Sequence, residues 1–225
     1  MSSQSFRQEI EDSFESYESN LFKEDWIQYQ ENEPEEGWFF IAVDPAGFEN
    51  VTAEQANKKK RLDETAIAVV KVGTYGWWVA DIIHGRWNIR ETALNILRTA
   101  QKYKCKDIGI ESGALKNALM PFLEEQMLRT HFFAKIHPLT HGKQKKTDRI
   151  VWALQGRMEK GLIKFKRDKW CRTFIHQMLD FPNPTAHDDL LDALAYIDQI
   201  AVIDFAGVFT TDIDNYEPLD ELAGY

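Results

Sequence analysis

Cysteine is scarce. Cys105 and Cys171 are the chain's two, and they form no CxxC pair. A disulfide framework and a cysteine-rich zinc site are therefore excluded, and a reducing compartment is the expected home. Long apolar runs are missing too. Those around Ala66–Val70 and Trp77–Ala80 fall far short of the ~20 residues a membrane span requires. The opening MSSQSFRQEIEDSFES is acidic and has no apolar core, so it does not read as a signal peptide. No GxxxxGK[ST] loop occurs either. Gly142-Lys143 is followed by Gln144, which leaves no Walker-type phosphate cradle. What remains is ordinary for a soluble globular chain of 225 residues: 44% hydrophobic, 12% aromatic and 28% charged. That length suits one domain with a short extension, large enough to bury a sizeable core.

Charge is unevenly spread. The net charge is −9, yet residues 1–36 carry eleven acids against two bases, and residues 188–225 carry ten acids and no base. Residues 143–172 hold eleven Lys and Arg against three acids. A polyanion feels charge within about a Debye length, ~8–10 Å, so overall acidity does not exclude a DNA-binding face.

Residues 1–36 read as an acidic arm or linker, 37–204 as the main domain, and 205–225 as an acidic tail. The apolar run Trp38–Asp44 ends in an acid followed by Pro45-Ala46-Gly47, as a buried strand would. Thr65–Val72 and Trp77–Ile83 read as a hairpin joined by Gly73-Thr74-Tyr75-Gly76. From Asn88, Ile89, Thr92, Ala93, Ile96, Leu97 and Ala100 share one helical face. Asp107–Glu111 is a short strand, again ending in an acid. Residues 112–130 are helical, with Pro121 marking a kink or break. His131–Ile136 is the next expected strand. Thr147 and Asp148 are placed to cap a helix running through Lys160, with Gly161 as its stop. Leu162–Phe165 is a short extended piece, Trp170–Leu179 a helix, and a last amphipathic helix spans about Ala186 to Ile203. The pattern predicts an α/β fold with a central mixed sheet of about five strands flanked by helices.

Two strands thus end in acids, Asp44 and Glu111, and ligands of open α/β sheets gather at such strand ends. The last helix opens with His187-Asp188-Asp189-Leu190-Leu191-Asp192. Asp189 and Asp192 share a face one turn apart. The helix dipole explains acids at Asp188 and Asp189 without any function, but it explains Asp192 less well. Hard oxygen ligands drawn from several elements suit Mg²⁺ or Mn²⁺, and two such ions ~3.5–4 Å apart can hydrolyse phosphodiesters.

The segments VDPAG, IGIESG and HDDLLDALAY, in this order, resemble the nuclease domain of the large terminase subunit of tailed bacteriophages. That domain is RNase H-like and similar to RuvC-type resolvases, whose last helix carries DxxD followed by Ala-Leu-Ala. The likeness covers roughly residues 38–203. SFRQE and FKEDW, within residues 6–30, resemble the end of the terminase ATPase half. The resemblance implies a metal-dependent endonuclease that cuts double-stranded DNA during genome packaging, in the cytoplasm of an infected host cell and with two Mg²⁺ or Mn²⁺ ions. It implies Asp44, Glu111, Asp189 and Asp192 as catalytic residues, and these together with Asp188 as metal ligands. The terminase ATPase domain, the small terminase subunit and the portal are the implied partners, with no membrane. Without a Walker loop, the expectation is a C-terminal fragment or a separately encoded nuclease. A resolvase or transposase of the same superfamily and a non-catalytic DNA-binding assembly module are the alternatives.

Lys143, Lys145, Lys146 and Arg149 precede or open a helix beside this set and are candidate phosphate contacts. A solvated face is the plain alternative. Lys58, Lys59, Lys60 and Arg61, between the first two strands, either grip phosphate or form a solvated loop. His187 is placed to cap the helix or support a ligand. His131, His137 and His141 read as structural or exposed, and Trp77, Trp78 and Trp87 as packing residues. Ser112 lacks a GxSxG setting, which excludes a serine hydrolase.

Overall fold

A computed structural model describes residues 21–46, 64–140, 145–183 and 185–201. Its sheet is built from β1 (Gln28–Tyr29), β2 (Trp38–Asp44), β3 (Thr65–Gly73), β4 (Gly76–Gly85), β5 (Asp107–Glu111), β6 (Lys135–Leu139) and β7 (Ile163–Phe165). The helices are α1 (Ile89–Lys102), α2 (Ala114–Thr130), α3 (Lys146–Glu159), α4 (Trp170–Asp180) and α5 (Asp189–Ala195). After Tyr196 a further helical stretch runs over 197–201. The strand order is β1-β7-β4-β3-β2-β5-β6, with β3 antiparallel to its neighbours β2 and β4 and all other pairs parallel. The sheet is mixed, as expected, but has seven strands rather than about five. One of the additional pair, β7, is the short extended piece read from the sequence. The other, β1, is two residues long and too short to show a period.

Alternation along the strands divides the core in two. In β2, Phe40 and Ala42 enter the core on one face, and Ile41 and Val43 enter it on the other. β3 does the same with Ala66, Ala68 and Val70 against Ile67 and Val69. In β4, Val79 faces Val70 and Asp81 faces Val69, which leaves Ala80 as a bulge residue and shifts the alternation by one. The helices α3, α4 and α5 supply core residues on the first face, α1 and α2 on the second. Both faces are covered, so the central strands read as nearly continuous apolar runs.

Residues 21–30, which the sequence groups with the acidic arm, pack onto this body. Phe22 is buried in the core, Gln155 Nε2 donates to the Leu21 carbonyl, and Trp78 Nε1 donates to the Gln30 carbonyl. Aromatic anchoring holds an otherwise polar segment.

Some boundaries differ from the sequence reading. The sixth strand is Lys135–Leu139 rather than His131–Ile136. His131 adopts a left-handed conformation that ends α2, so the chain reaches the sheet later. Pro138 is tolerated there because β6 is an edge strand. The helix α2 runs unbroken through Pro121. Lys145, not Thr147 or Asp148, is the N-cap of α3, and it makes no side-chain cap bond. Ion pairs described below hold the start of α3 in place of a hydroxyl cap. The last helix starts at Asp189, not near Ala186.

One glycine is required by this packing. A Cβ at Gly109 would come within 2.5 Å of Ile200 Cδ1 and 2.7 Å of Leu139 Cδ2. Gly109→Ala is expected to destabilise the fold by about 1–3 kcal/mol, seen as a fall of several degrees in Tm. An unchanged Tm would mean that the final helical stretch does not press on β5 as described.

Candidate metal centre

The side-chain period fixes which acids can meet. Phe40 and Ala42 face the α5 side of the sheet, so Asp44 at the end of β2 falls on that side as well. In β5, Ile108 and Ile110 face the opposite core, and Glu111 is left on the α5 side. The parallel register pairs Ile41 with Ile108, Ala42 with Gly109 and Val43 with Ile110. One step further along brings Asp44 level with Glu111, and their side chains are hydrogen-bonded. Packed above, α5 is buried along its whole length and fixes Asp189 and Asp192 over the strand ends. Its start is held by Gln177 of α4, whose Oε1 accepts the Leu190 N–H at 2.9 Å.

The result is a cavity of about 310 Å³ lined by Asp44, Glu64, Glu111, Asp188, Asp189, Asp192 and Lys146, with Pro45, Ala46 and Leu115. The five acids read from the sequence share this single cavity. Glu64 is an addition that the sequence reading misses. It lies at the N-terminal end of β3, and antiparallel pairing with β2 carries that end to the same rim as Asp44. Hairpin topology is the signal that could have found it. The Glu64 N–H donates to Asp189 Oδ2 at 3.2 Å, and its carboxylate meets His84 Nδ1 at 2.7 Å. His187 Nδ1 stands 3.5 Å from Asp189 Oδ2, which places it as support for that acid.

One of the candidate phosphate contacts, Arg149, turns inward, and for it the expectation is corrected. Arg149 is 6% exposed, donates from Nη2 to Asp192 Oδ1, and lies over the Tyr196 ring 4.0 Å from its centroid. Its place on the inner face of α3 leaves it no access to DNA. Lys146 Nζ donates to Asp188 Oδ1 at 2.8 Å and to Asp192 Oδ2 at 2.9 Å, so it belongs to the carboxylate cluster. Lys145 is exposed at the N-cap of α3. Lys143, the run Lys58, Lys59, Lys60 and Arg61, and His141 lie outside the described residues. His137 is buried and hydrogen-bonded to Asp107, while Trp77 and Trp78 are buried in the two cores.

Burial, the negative charge of Asp192 and the hydrogen bond with Glu111 push the Asp44 pKa well above the usual carboxylate range. Burial works against the charge on Lys146, but Asp192 and Asp188 outweigh it and raise the lysine's pKa. Among the described residues, no three His, Cys, Asp or Glu side chains stand close enough together to make a ready metal shell. The Lys146 ammonium bridges the helix acids Asp188 and Asp192 instead. The donor set, hard carboxylate oxygens crowded until one of them resists ionisation, still fits a divalent cation such as Mg²⁺ or Mn²⁺.

A family model described as the terminase RNaseH-like domain matches residues 41–198. The chain belongs to that family. Among solved structures, the large terminase nuclease from thermophilic phage G20c covers 79% of this chain and 96% of its own, at 14% identity and a TM-score of 0.54. The human cytomegalovirus terminase nuclease domain, manganese-soaked and inhibitor-bound, covers 79% and 90% at 14% identity and a TM-score of 0.51. The large terminase from a second thermophilic bacteriophage matches 82% of this chain at 11% identity and a TM-score of 0.55. This terminase-family chain spans 44% of that larger protein's length. At these identities the structural likeness supports the RNase H-like fold. No curated protein matches significantly.

The Asp44 shift has a consequence for stability. As pH rises above the ordinary carboxylate range, the unfolded chain gives up this proton while the folded chain keeps it. The folded state then binds more protons, and Asp44 lowers stability progressively up to its own raised pKa. In EDTA, Asp44→Asn is therefore expected to stabilise the protein near neutral pH by about 0.5–2 kcal/mol, with the two melting curves converging near pH ~4, the ordinary range of a carboxyl group. A gain that is the same at every pH would show that the asparagine acts through packing.

Proposed function

We propose that this chain is a divalent-metal-dependent endonuclease that cleaves double-stranded DNA during phage genome packaging. The observation that carries this reading is the convergence of Asp44, Glu111 and the α5 acids in one cavity at the strand ends. The G20c nuclease has been solved with bound magnesium, and the cytomegalovirus domain after a manganese soak. Those structures support the choice of ion here.

Asp44, Glu111 and Asp189 are the residues best placed to hold cations, with Asp188 and Asp192 joining them on the Lys146 side of the cavity. Bound there, two ions would activate water at neutral pH and stabilise the leaving oxygen of the phosphodiester. The chain's own part is positional. Glu64, through its backbone N–H, and His187 orient Asp189, while Arg149 fixes Asp192. The Lys145 side chain is free to meet a backbone phosphate outside the cavity. Residues 37–204 form the nuclease unit in this reading, with the terminase ATPase domain, the small subunit and the portal as partners in the infected host cell.

Plasmid DNA incubated with the protein is expected to be degraded with Mn²⁺ or Mg²⁺ and spared in EDTA. Asp44→Ala and, separately, Glu111→Ala should lower cleavage by more than the ~100-fold reached by losses in the outer shell of metal sites, with the fold retained by circular dichroism. Full activity in either variant would refute the assignment. A strong preference for four-way junctions over linear duplex would favour a resolvase. DNA binding without cleavage under any metal would favour an assembly module.

A further inference from the structure

The lysine inside the carboxylate cluster has no part in the reading above. Its ammonium is within 2.9 Å of both Asp188 and Asp192, on the wall of the cavity that also holds Asp44 and Glu111. That is where a cation is needed.

The two cations on Asp192 differ in freedom. Arg149 is buried, stacked on Tyr196 and bonded to Oδ1, so it stays with the fold. The Lys146 side chain is 42% exposed, on a flexible four-carbon stem at the first turn of α3. Of the pair, Lys146 is the one that can leave. A backbone phosphate is the kind of anion that a mobile ammonium receives as a point charge.

We propose that Lys146 is the resident counter-ion of the carboxylate cluster: it competes with a divalent cation for Asp188 and Asp192, and a DNA phosphate that draws it outward opens those acids to the ion. This rests on the metal-dependent reading and adds to it a coupling between DNA and metal. A ligand that removes the competing charge raises affinity for the ion, and the ion raises affinity for that ligand by the same factor. DNA and metal then bind cooperatively without any large movement of the fold.

The test is a calorimetric titration of the EDTA-stripped full chain with Mn²⁺, comparing wild type with Lys146→Met, Lys146→Arg and Lys160→Met. Lys160 is exposed at the other end of α3 and controls for net charge. Lys146→Met is expected to bind Mn²⁺ about 10-fold tighter, within the ~5–150-fold range of coupled sites. Lys146→Arg, which keeps the charge, and Lys160→Met should stay at the wild-type affinity. Adding a phosphorothioate duplex should tighten Mn²⁺ binding to wild type by a similar factor and leave Lys146→Met unchanged. Equal or weaker Mn²⁺ binding by Lys146→Met would overturn the proposal and show that the lysine merely holds the ligands in place. Undetectable Mn²⁺ binding in every variant would overturn it as well. In that case wild-type cleavage that still required Mn²⁺ would leave the nuclease reading standing, whereas absent cleavage would remove both.

Discussion

Carboxylates crowded at the end of a buried sheet repel one another, and that repulsion governs this structure. Asp44, Glu111, Asp189 and Asp192 lie where water screens poorly, and like charges there cost far more than on the surface. The chain's own residues meet the cost in two ways. Asp44 resists ionisation and shares a hydrogen bond with Glu111, while Lys146 and Arg149 neutralise Asp192. Neither device is ideal for stability alone. Nη1 and Nε of Arg149 are buried with no hydrogen-bond acceptor among the described residues, which is itself costly. Apolar packing on both faces of the sheet is what allows the fold to carry such a site.

The sheet is also what makes the site accurate. Asp44 and Glu111 project toward α5 because Asp44 sits at an even spacing from Phe40 and Ala42 on that face, and Glu111 at an odd spacing from Ile108 and Ile110 on the other. A slip of one residue in either strand would send its acid into the core beneath α1 and α2, where it would have no counter-charge. The same apolar alternation that stabilises the fold therefore sets the geometry of the acids. Gly109 lets the final helical stretch approach β5 closely enough for α5 to bring its aspartates to the strand ends.

Much of this was legible in the sequence. Strand-terminal acids, a hairpin and an Asp-x-x-Asp helix are local patterns, and the apolar runs that carry β2, β3 and β5 mark the strands clearly. What could not be read depends on contacts distant along the chain. β1 is too short for a period and is paired by β7, more than a hundred residues later. Glu64 looks like any loop acid until the hairpin is folded against β2. Arg149 has the same sequence context as Lys145, and only the packing of α3 against α5 turns one inward and leaves the other in solvent. The start of α3 escapes local rules for a related reason: its first turn is held by tertiary ion pairs, which compete successfully with the local preference for a Thr or Asp cap.

Those ion pairs change the meaning of the charge segregation along the chain. A basic stretch at 143–172 beside acidic ends reads in one dimension as a surface for a polyanion. In three dimensions its helix is partnered by acids from 188–198. Lys146 meets Asp188 and Asp192, Arg149 meets Asp192, and Arg157 meets Asp198 at 2.6 Å. Arg157 with Asp198 is partly solvated at both ends and contributes little. The innermost is buried, and removing one member would strand the other's charge. Lys146 is the most exposed of the three cations yet reaches the buried Asp192, so it is solvated enough to move and paired closely enough to matter. Differences in burial among these side chains thus sort the three cations into a fixed anchor, an exchangeable contact and a surface contact. Net charge and sequence blocks carry no trace of that order, because it arises from which acid each cation meets and how deeply the two side chains are buried.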